Sequence, residues 1–229
     1  MVDQVAKHPG RKAWRIGTVL TLAMLAISVS TLGSAGAAVH STKKPSPPPF
    51  TQLEKLLKSE GNQTFKVAYS THGVTSATST IVFEQRPPGE FRFSTGDGYV
   101  VVFGGNAYEC SMTTSSPVCV KTSEGLLSGL EAVFSPLSVI AELKAFQSQA
   151  AYKVAGVSVS TTRGTFAGQS STCIVVAEKA GKFRYCVTNA KGILAYSGSP
   201  KGYLEMTAYS GSPPASDFTL PHGAKIVTE

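Results

Sequence analysis

The 229-residue chain has only four histidines and four cysteines, and both scarcities exclude chemistry. His8 and His40 lie near the amino end, so a Ser/His/Asp or Cys/His centre would have to be built on His72 or His222, each in a polar, turn-like setting. A zinc site would need closely spaced cysteine pairs with histidine ligands, and the sequence has neither. Acidic residues are dispersed beside Lys or Arg or at turns, which leaves no carboxylate pair for glycoside chemistry. No Lys/Arg run exceeds Lys43-Lys44, which argues against a nucleic-acid partner and leaves contact with an anionic membrane surface open. Gly96-Asp97-Gly98 and Gly104-Gly105 read as hairpin turns with no helix behind them, so they are not phosphate cradles. There is no internal repeat. No enzymatic centre, cofactor or metal is implied.

What the chain does have begins with Lys7, Arg11, Lys12 and Arg15, followed by an uncharged run over residues 16 to 39 that contains Ala35-Gly36-Ala37. A basic flank, an apolar stretch and small residues at a cleavage-like site read as an export signal over residues 1 to 38. The run is also long enough to span a bilayer, so an uncleaved membrane anchor is the alternative. Thinning of its apolar core to Gly33-Ser34-Ala35-Gly36 favours cleavage. Either way the basic flank stays in the cytoplasm and the remainder works outside it, secreted or in the cell envelope. Residues 39 to 50 include Lys43-Lys44-Pro45-Ser46-Pro47-Pro48-Pro49 and read as an extended spacer, leaving 51 to 229 as one domain.

All four cysteines fall in the exported part, where an oxidising compartment lets thiols pair. Cys110 and Cys119 flank Thr113-Thr114-Ser115-Ser116, and Cys173 and Cys186 flank Glu178-Lys179-Ala180-Gly181-Lys182. In each case the midpoint lies inside a turn, so a simple hairpin sets the two cysteines opposite each other; this favours Cys110 with Cys119 and Cys173 with Cys186. Reactive free thiols are the alternative.

Thr51-Gln52-Leu53-Glu54 offers a capping box, Leu53, Leu56 and Leu57 make one apolar stripe, and Gly61 closes a short helix. From Thr64 the period changes to two: Phe65, Val67 and Tyr69 alternate with Lys66, Ala68 and Ser70, and Ile81, Phe83, Phe91 and Phe93 follow. Glycine- and proline-containing turns separate these runs, which predicts a meander of antiparallel strands. Tyr99-Val100-Val101-Val102-Phe103 is apolar on both faces, so it should be covered on both sides. Helical spacing returns over residues 124 to 149, with Leu126, Leu130 and Phe134, then Ile140 and Leu143 after Ser135-Pro136. Strands resume near residues 152 to 159, 165 to 167, 173 to 178, 183 to 188, 193 to 196 and 203 to 209.

Three stretches stand out: Gln85-Arg86-Pro87-Pro88-Gly89-Glu90-Phe91-Arg92-Phe93, Gly104-Gly105-Asn106-Ala107-Tyr108 and Asp217-Phe218-Thr219-Leu220-Pro221-His222-Gly223-Ala224. In order and content they resemble the LolA-like carriers of the bacterial envelope, including the LppX-type lipid carriers. The resemblance implies a mainly β fold with some α: a strongly curved antiparallel sheet, an open half-barrel, with helices covering its concave face and acyl chains lodged between. It places Arg86 at the position where a carrier's arginine helps hold the helical lid closed, and Phe91 and Phe93 on the aromatic positions that follow. Leu126, Leu130, Phe134 and Ile140 would then line the lid or the lipid site. The implied function is a non-enzymatic binder or carrier of lipids or lipoprotein acyl chains. The alternative is a sensor or adaptor that binds the extracytoplasmic segment of a membrane protein. Two features depart from the family pattern: no cysteine follows the small residues of the export segment, and the hairpin cysteines are additional.

Overall fold

Most of the apolar alternation from Phe65 onward becomes strand in the computed structural model, which describes residues 48–73, 79–96, 98–112, 116–122, 140–141, 143–144, 148 and 156–228; the runs expected at 152 to 159 and 165 to 167 are joined in one strand that starts at Ser158. One continuous helix, α1 (Pro48–Glu60), precedes the strands β1 (Phe65–His72), β2 (Ser79–Arg86), β3 (Glu90–Thr95), β4 (Gly98–Phe103), β5 (Asn106–Ser111) and β6 (Val118–Lys121). A second run follows: β7 (Ser158–Phe166), β8 (Gln169–Glu178), β9 (Gly181–Thr188), β10 (Leu194–Ser199) and β11 (Gly202–Ser210). A 3-10 turn, Ala215–Phe218, and β12 (Lys225–Thr228) end the described chain.

The twelve strands form one sheet in the order β12-β6-β5-β4-β3-β2-β1-β11-β10-β9-β8-β7. Two meanders therefore meet where β1 pairs with β11, and the sheet is open, with β12 and β7 as its edges. Adjacent strands run antiparallel except β12, which lies parallel to β6. Although β7 and β11 are four places apart in the order, they approach each other in space, so this part of the sheet is rolled. Both cysteine pairs are disulfide-bonded in the pairing the spacing favours, each joining residues directly opposite in register, Cys110 with Cys119 and Cys173 with Cys186.

Helix α1 starts at Pro48 rather than at Thr51. Proline is tolerated in a first helical turn, where its missing N–H would have no partner in any case. Phe50, Leu53 and Leu57 are buried against Ile174 and Val176 of β8 and Tyr185 and Val187 of β9, and Ile140 and Leu143 join the same cluster. Each such side chain removed from water contributes about 1.5–3 kcal/mol. The helix's carboxy end is pinned by side chains from two directions. Gln85 Nε2 donates to the Glu60 and Gln63 carbonyls at 2.9 and 3.1 Å, and Lys191 Nζ donates to Gln63 Oε1 at 3.1 Å.

Strand β4 is covered on both sides, as its sequence predicts. Val100 packs with Phe65, Phe83 and Phe93, whereas Tyr99 and Val101 pack with the Cys110 and Cys119 disulfide on the other face. The cover itself corrects the expected architecture. Several helices over the concave face of a half-barrel are not what is found: among the described residues there is one continuous helix on an open twelve-stranded sheet. An apolar strand demands cover but not helical cover. On the Tyr99 side it comes from the chain's own carboxy-terminal segment, through Leu220 and Ala224. The predicted helical stripe Leu126, Leu130 and Phe134 lies outside the described residues. No helix among the described residues is long and apolar enough to cross a membrane.

Candidate functional site

Strand alternation sorts the site residues onto two faces. Register pairs Phe65 with Gln85, Val67 with Phe83, Phe83 with Phe93, Phe91 with Val102 and Phe93 with Val100, so these side chains share the face on which α1 sits. Their rings form a lane: Phe65 to Phe83 is 5.8 Å between centroids and Phe83 to Phe91 is 6.3 Å. Phe65 is fully buried, while Phe91 at the far end of the lane is half-buried. The α1 side chains belong to a separate cluster over β8 and β9. The lane therefore extends beyond the part of the sheet that α1 covers. Ile140 sits in the α1 cluster and not on the lane.

Arg86 lies on the opposite face. It stands opposite Glu90, to which its Nε donates, and its guanidinium lies 4.8 Å from the centre of the buried Phe218 ring. What it holds is the 3-10 turn of the carboxy-terminal segment. The structure thus brings Phe91 and Phe93 together and separates Arg86 from them. Replacing Arg86 by leucine is expected to lower stability by about 1 kcal/mol, the scale of a cation–π contact plus a partly exposed ion pair. Acyl-probe affinity on the phenylalanine face should be unchanged, and thermal melting alongside a binding titration checks both.

The same face carries a charge cluster that sequence reasoning missed. Lys66 Nζ donates to Glu84 Oε1 at 3.1 Å and to Asp217 Oδ2 at 3.0 Å, and Arg92 Nη1 lies 3.7 Å from Asp217 while its guanidinium stacks 4.0 Å from the Tyr99 ring centre. Glu84 is 1 % exposed, and among the described residues its Oε2 and the Nε of Arg92 have no hydrogen-bond partner. Burial, reinforced by the neighbouring Asp217 carboxyl, pushes the Glu84 carboxyl up to about 7 despite the nearby Lys66. Burial works against the charge on Asp217 too, but Glu84 and Lys66 beside it outweigh that effect and hold the carboxyl below its ordinary value. The signal was present, since Lys66, Glu84 and Arg92 stand opposite one another across β1, β2 and β3. Without the register they read as ordinary outward-facing positions.

A second ladder runs across the rolled part of the sheet. His72 stacks on Tyr203 at 4.6 Å and Tyr203 on Tyr196 at 5.3 Å, and Phe166 lies 5.9 Å from Tyr196. The Arg184 guanidinium sits 5.3 and 5.4 Å from the Phe166 and Tyr196 rings. The absent side chain of Gly164 leaves room for Arg184 and Phe166, each 2.9 Å from where a β-carbon would stand. These contacts pack the rolled part of the sheet.

No family model matches the chain, and no curated protein matches it. Among solved structures, it is similar to MucB, with 14% identity, a TM-score of 0.48 and coverage of 76% of this chain and 63% of that one. The chain thus spans less than two thirds of MucB. It is also similar to a LolA superfamily protein from Nitrosomonas europaea (9% identity, TM-score 0.31, 75% of this chain and 97% of that one). The Mycobacterium tuberculosis lipoprotein LppX gives 12% identity and a TM-score of 0.34, over 72% of this chain and 97% of that one. Likenesses of this extent carry no functional argument, so the functional reading is drawn from the chain's own residues.

Proposed function

We propose that this chain is a non-enzymatic, extracytoplasmic binder of acyl chains, of lipids or of lipoproteins, and that the chain lies along the phenylalanine lane of β1 to β4. The observation that carries the proposal is that lane: a row of rings on one face, graded from fully buried Phe65 to half-buried Phe91, running past the area that α1 covers. Each methylene withdrawn from water there contributes about 0.8 kcal/mol, so a partly enclosed chain of about a dozen carbons binds usefully. The two disulfides and the export-type amino end support placement outside the cytoplasm. Phe91→Glu puts a charge at the open end of the lane. It is expected to weaken binding of a fluorescent long-chain fatty acid by about 100-fold, since a carboxylate must lose its water or displace the chain. The cost to folding should be small, because Phe91 is only half-buried. Equal affinity in the variant and the parent protein would remove the lane from the site.

A second reading is favoured by β12. Its four residues are exposed, with Ile226 and Val227 among the exposed large apolar side chains, on a strand whose outer edge pairs with no other strand among the described residues. Such an edge can add an extended segment of a membrane-protein partner, as an envelope sensor or adaptor would require. Cross-linking from position 226 to a partner in envelope extracts, with no acyl-probe uptake by the same protein, would favour that reading over the first.

A further inference from the structure

The carboxy-terminal segment after β11 leaves the sheet through Gly211-Ser212-Pro213-Pro214, an irregular connection, crosses the face opposite α1 and ends as β12 on the edge of β6. Its attachments are unequal. Phe218 is buried beneath Arg86, and Leu220 and Ala224 pack on the Tyr99, Val101, Cys110 and Cys119 cluster. Strand β12 is short, exposed in its side chains, and joined to β6 by parallel pairing. Between that connection and the edge, the polar anchor is Asp217, gripped by Lys66 from β1 and Arg92 from β3, with Glu84 of β2 buried beneath. We propose that residues 211–228 form a releasable strap, latched by Lys66, Glu84, Arg92 and Asp217, and that a rise in pH past neutrality loosens it. Release would uncover Tyr99, Val101, Phe103 and Tyr108 and free the edge of β6.

The groups that face Glu84 settle the direction. Lys66 stands on one side and Arg92 on the other as register neighbours, Asp217 closes from the 3-10 turn, and Tyr99 lies behind Arg92; Arg86 is already engaged with Glu90 and Phe218. A protonated Glu84 can donate to Asp217, which leaves Lys66 and Arg92 to hold one carboxylate. Once ionised, two carboxylates face each other with Glu84 itself buried, and one Glu84 oxygen has no hydrogen-bond partner among the described residues. The Glu84 carboxyl titrates higher with the strap closed than it would in water, so its contribution is complete below its ordinary value and is lost as pH rises through about 7. Asp217, held low, contributes in the opposite sense, and its share is lost only in acid. The strap is therefore held most firmly in mildly acidic solution. The inference does not depend on acyl-chain binding, which uses the opposite face.

Hydrogen exchange followed by mass spectrometry on the full chain tests it, with rates expressed as protection factors so that the pH dependence of chemical exchange divides out. From about pH 6 to about pH 8.5, protection over residues 215–228 and β6 is expected to fall by about tenfold, while β8 stays constant as an internal reference. Glu84→Gln keeps a donor for Asp217 and cannot ionise, so its protection should not change between the two conditions. Should that variant fail to fold, Glu84→Met, which is of similar length and cannot ionise, serves the same end and should also abolish the step. Constant protection in the parent protein overturns the proposal. So does a tenfold step that persists in Glu84→Gln or, where that variant does not fold, in Glu84→Met.

Discussion

Replacing Gly192 by alanine is expected to destabilise the folded chain by about 2–4 kcal/mol and to detach α1 from the sheet. Gly192 has a φ of 73°, in the left-handed region, and a β-carbon there would overlap the Leu56 backbone carbonyl of α1. The overlap is with backbone, so no side chain can rotate out of the way, and the helix itself would have to move off the Phe50, Leu53 and Leu57 contacts. Gly105 is the control: its φ of 72° is nearly the same, but nothing lies near its absent side chain. Alanine there should cost only the conformational penalty of about 1–2 kcal/mol. Urea unfolding of the two variants measures the difference, and hydrogen exchange in α1 reports its detachment. Equal destabilisation would mean that close approach to the helix plays no part.

The second large effect concerns the disulfides. They close short loops, with sequence separations of 9 and 13 residues, and each should contribute about 3 kcal/mol by restricting the unfolded chain. They lie in different hairpins, β5–β6 and β8–β9, so the contributions should add. Serine at both members of one pair, then of both pairs, followed by denaturant unfolding, is expected to give a stepwise loss totalling about 6 kcal/mol. Against a total stability of about 5–15 kcal/mol that is a large share, so reduction alone should lower the melting temperature markedly. A combined loss below about 1 kcal/mol would show that the unfolded chain is already restricted there.

Local pattern carried much of this architecture. Alternation at Phe65, Val67 and Tyr69, the doubly apolar stretch of β4 and the turn-centred cysteines each depend on neighbours in sequence, and each has its counterpart in the structure. What was illegible depends on partners far away along the chain. Strand β12 reads as an ordinary tail because its burial is slight, and only pairing with β6 makes Lys225–Thr228 a strand. The resemblance gives Arg86 a lid-latching position just ahead of Phe91 and Phe93, and period-two alternation turns it to the face opposite theirs, against Phe218. The same alternation hid Lys66, Glu84 and Arg92, which look solvent-facing until the register places them side by side and Asp217 closes over them. The expectation of helical cover fails for a related reason. A sequence shows that β4 needs covering on both sides, but not that residues 215–224 supply one of the covers.

The central claim is that the phenylalanine lane holds an acyl chain, and native mass spectrometry of the protein purified from its own host tests it most directly. The account predicts a retained species whose mass corresponds to a lipid or an acylated peptide, displaceable by a long-chain fatty acid and absent from Phe91→Glu. A folded protein that emerges lipid-free, and after stripping takes up no acyl-chain probe, would contradict it.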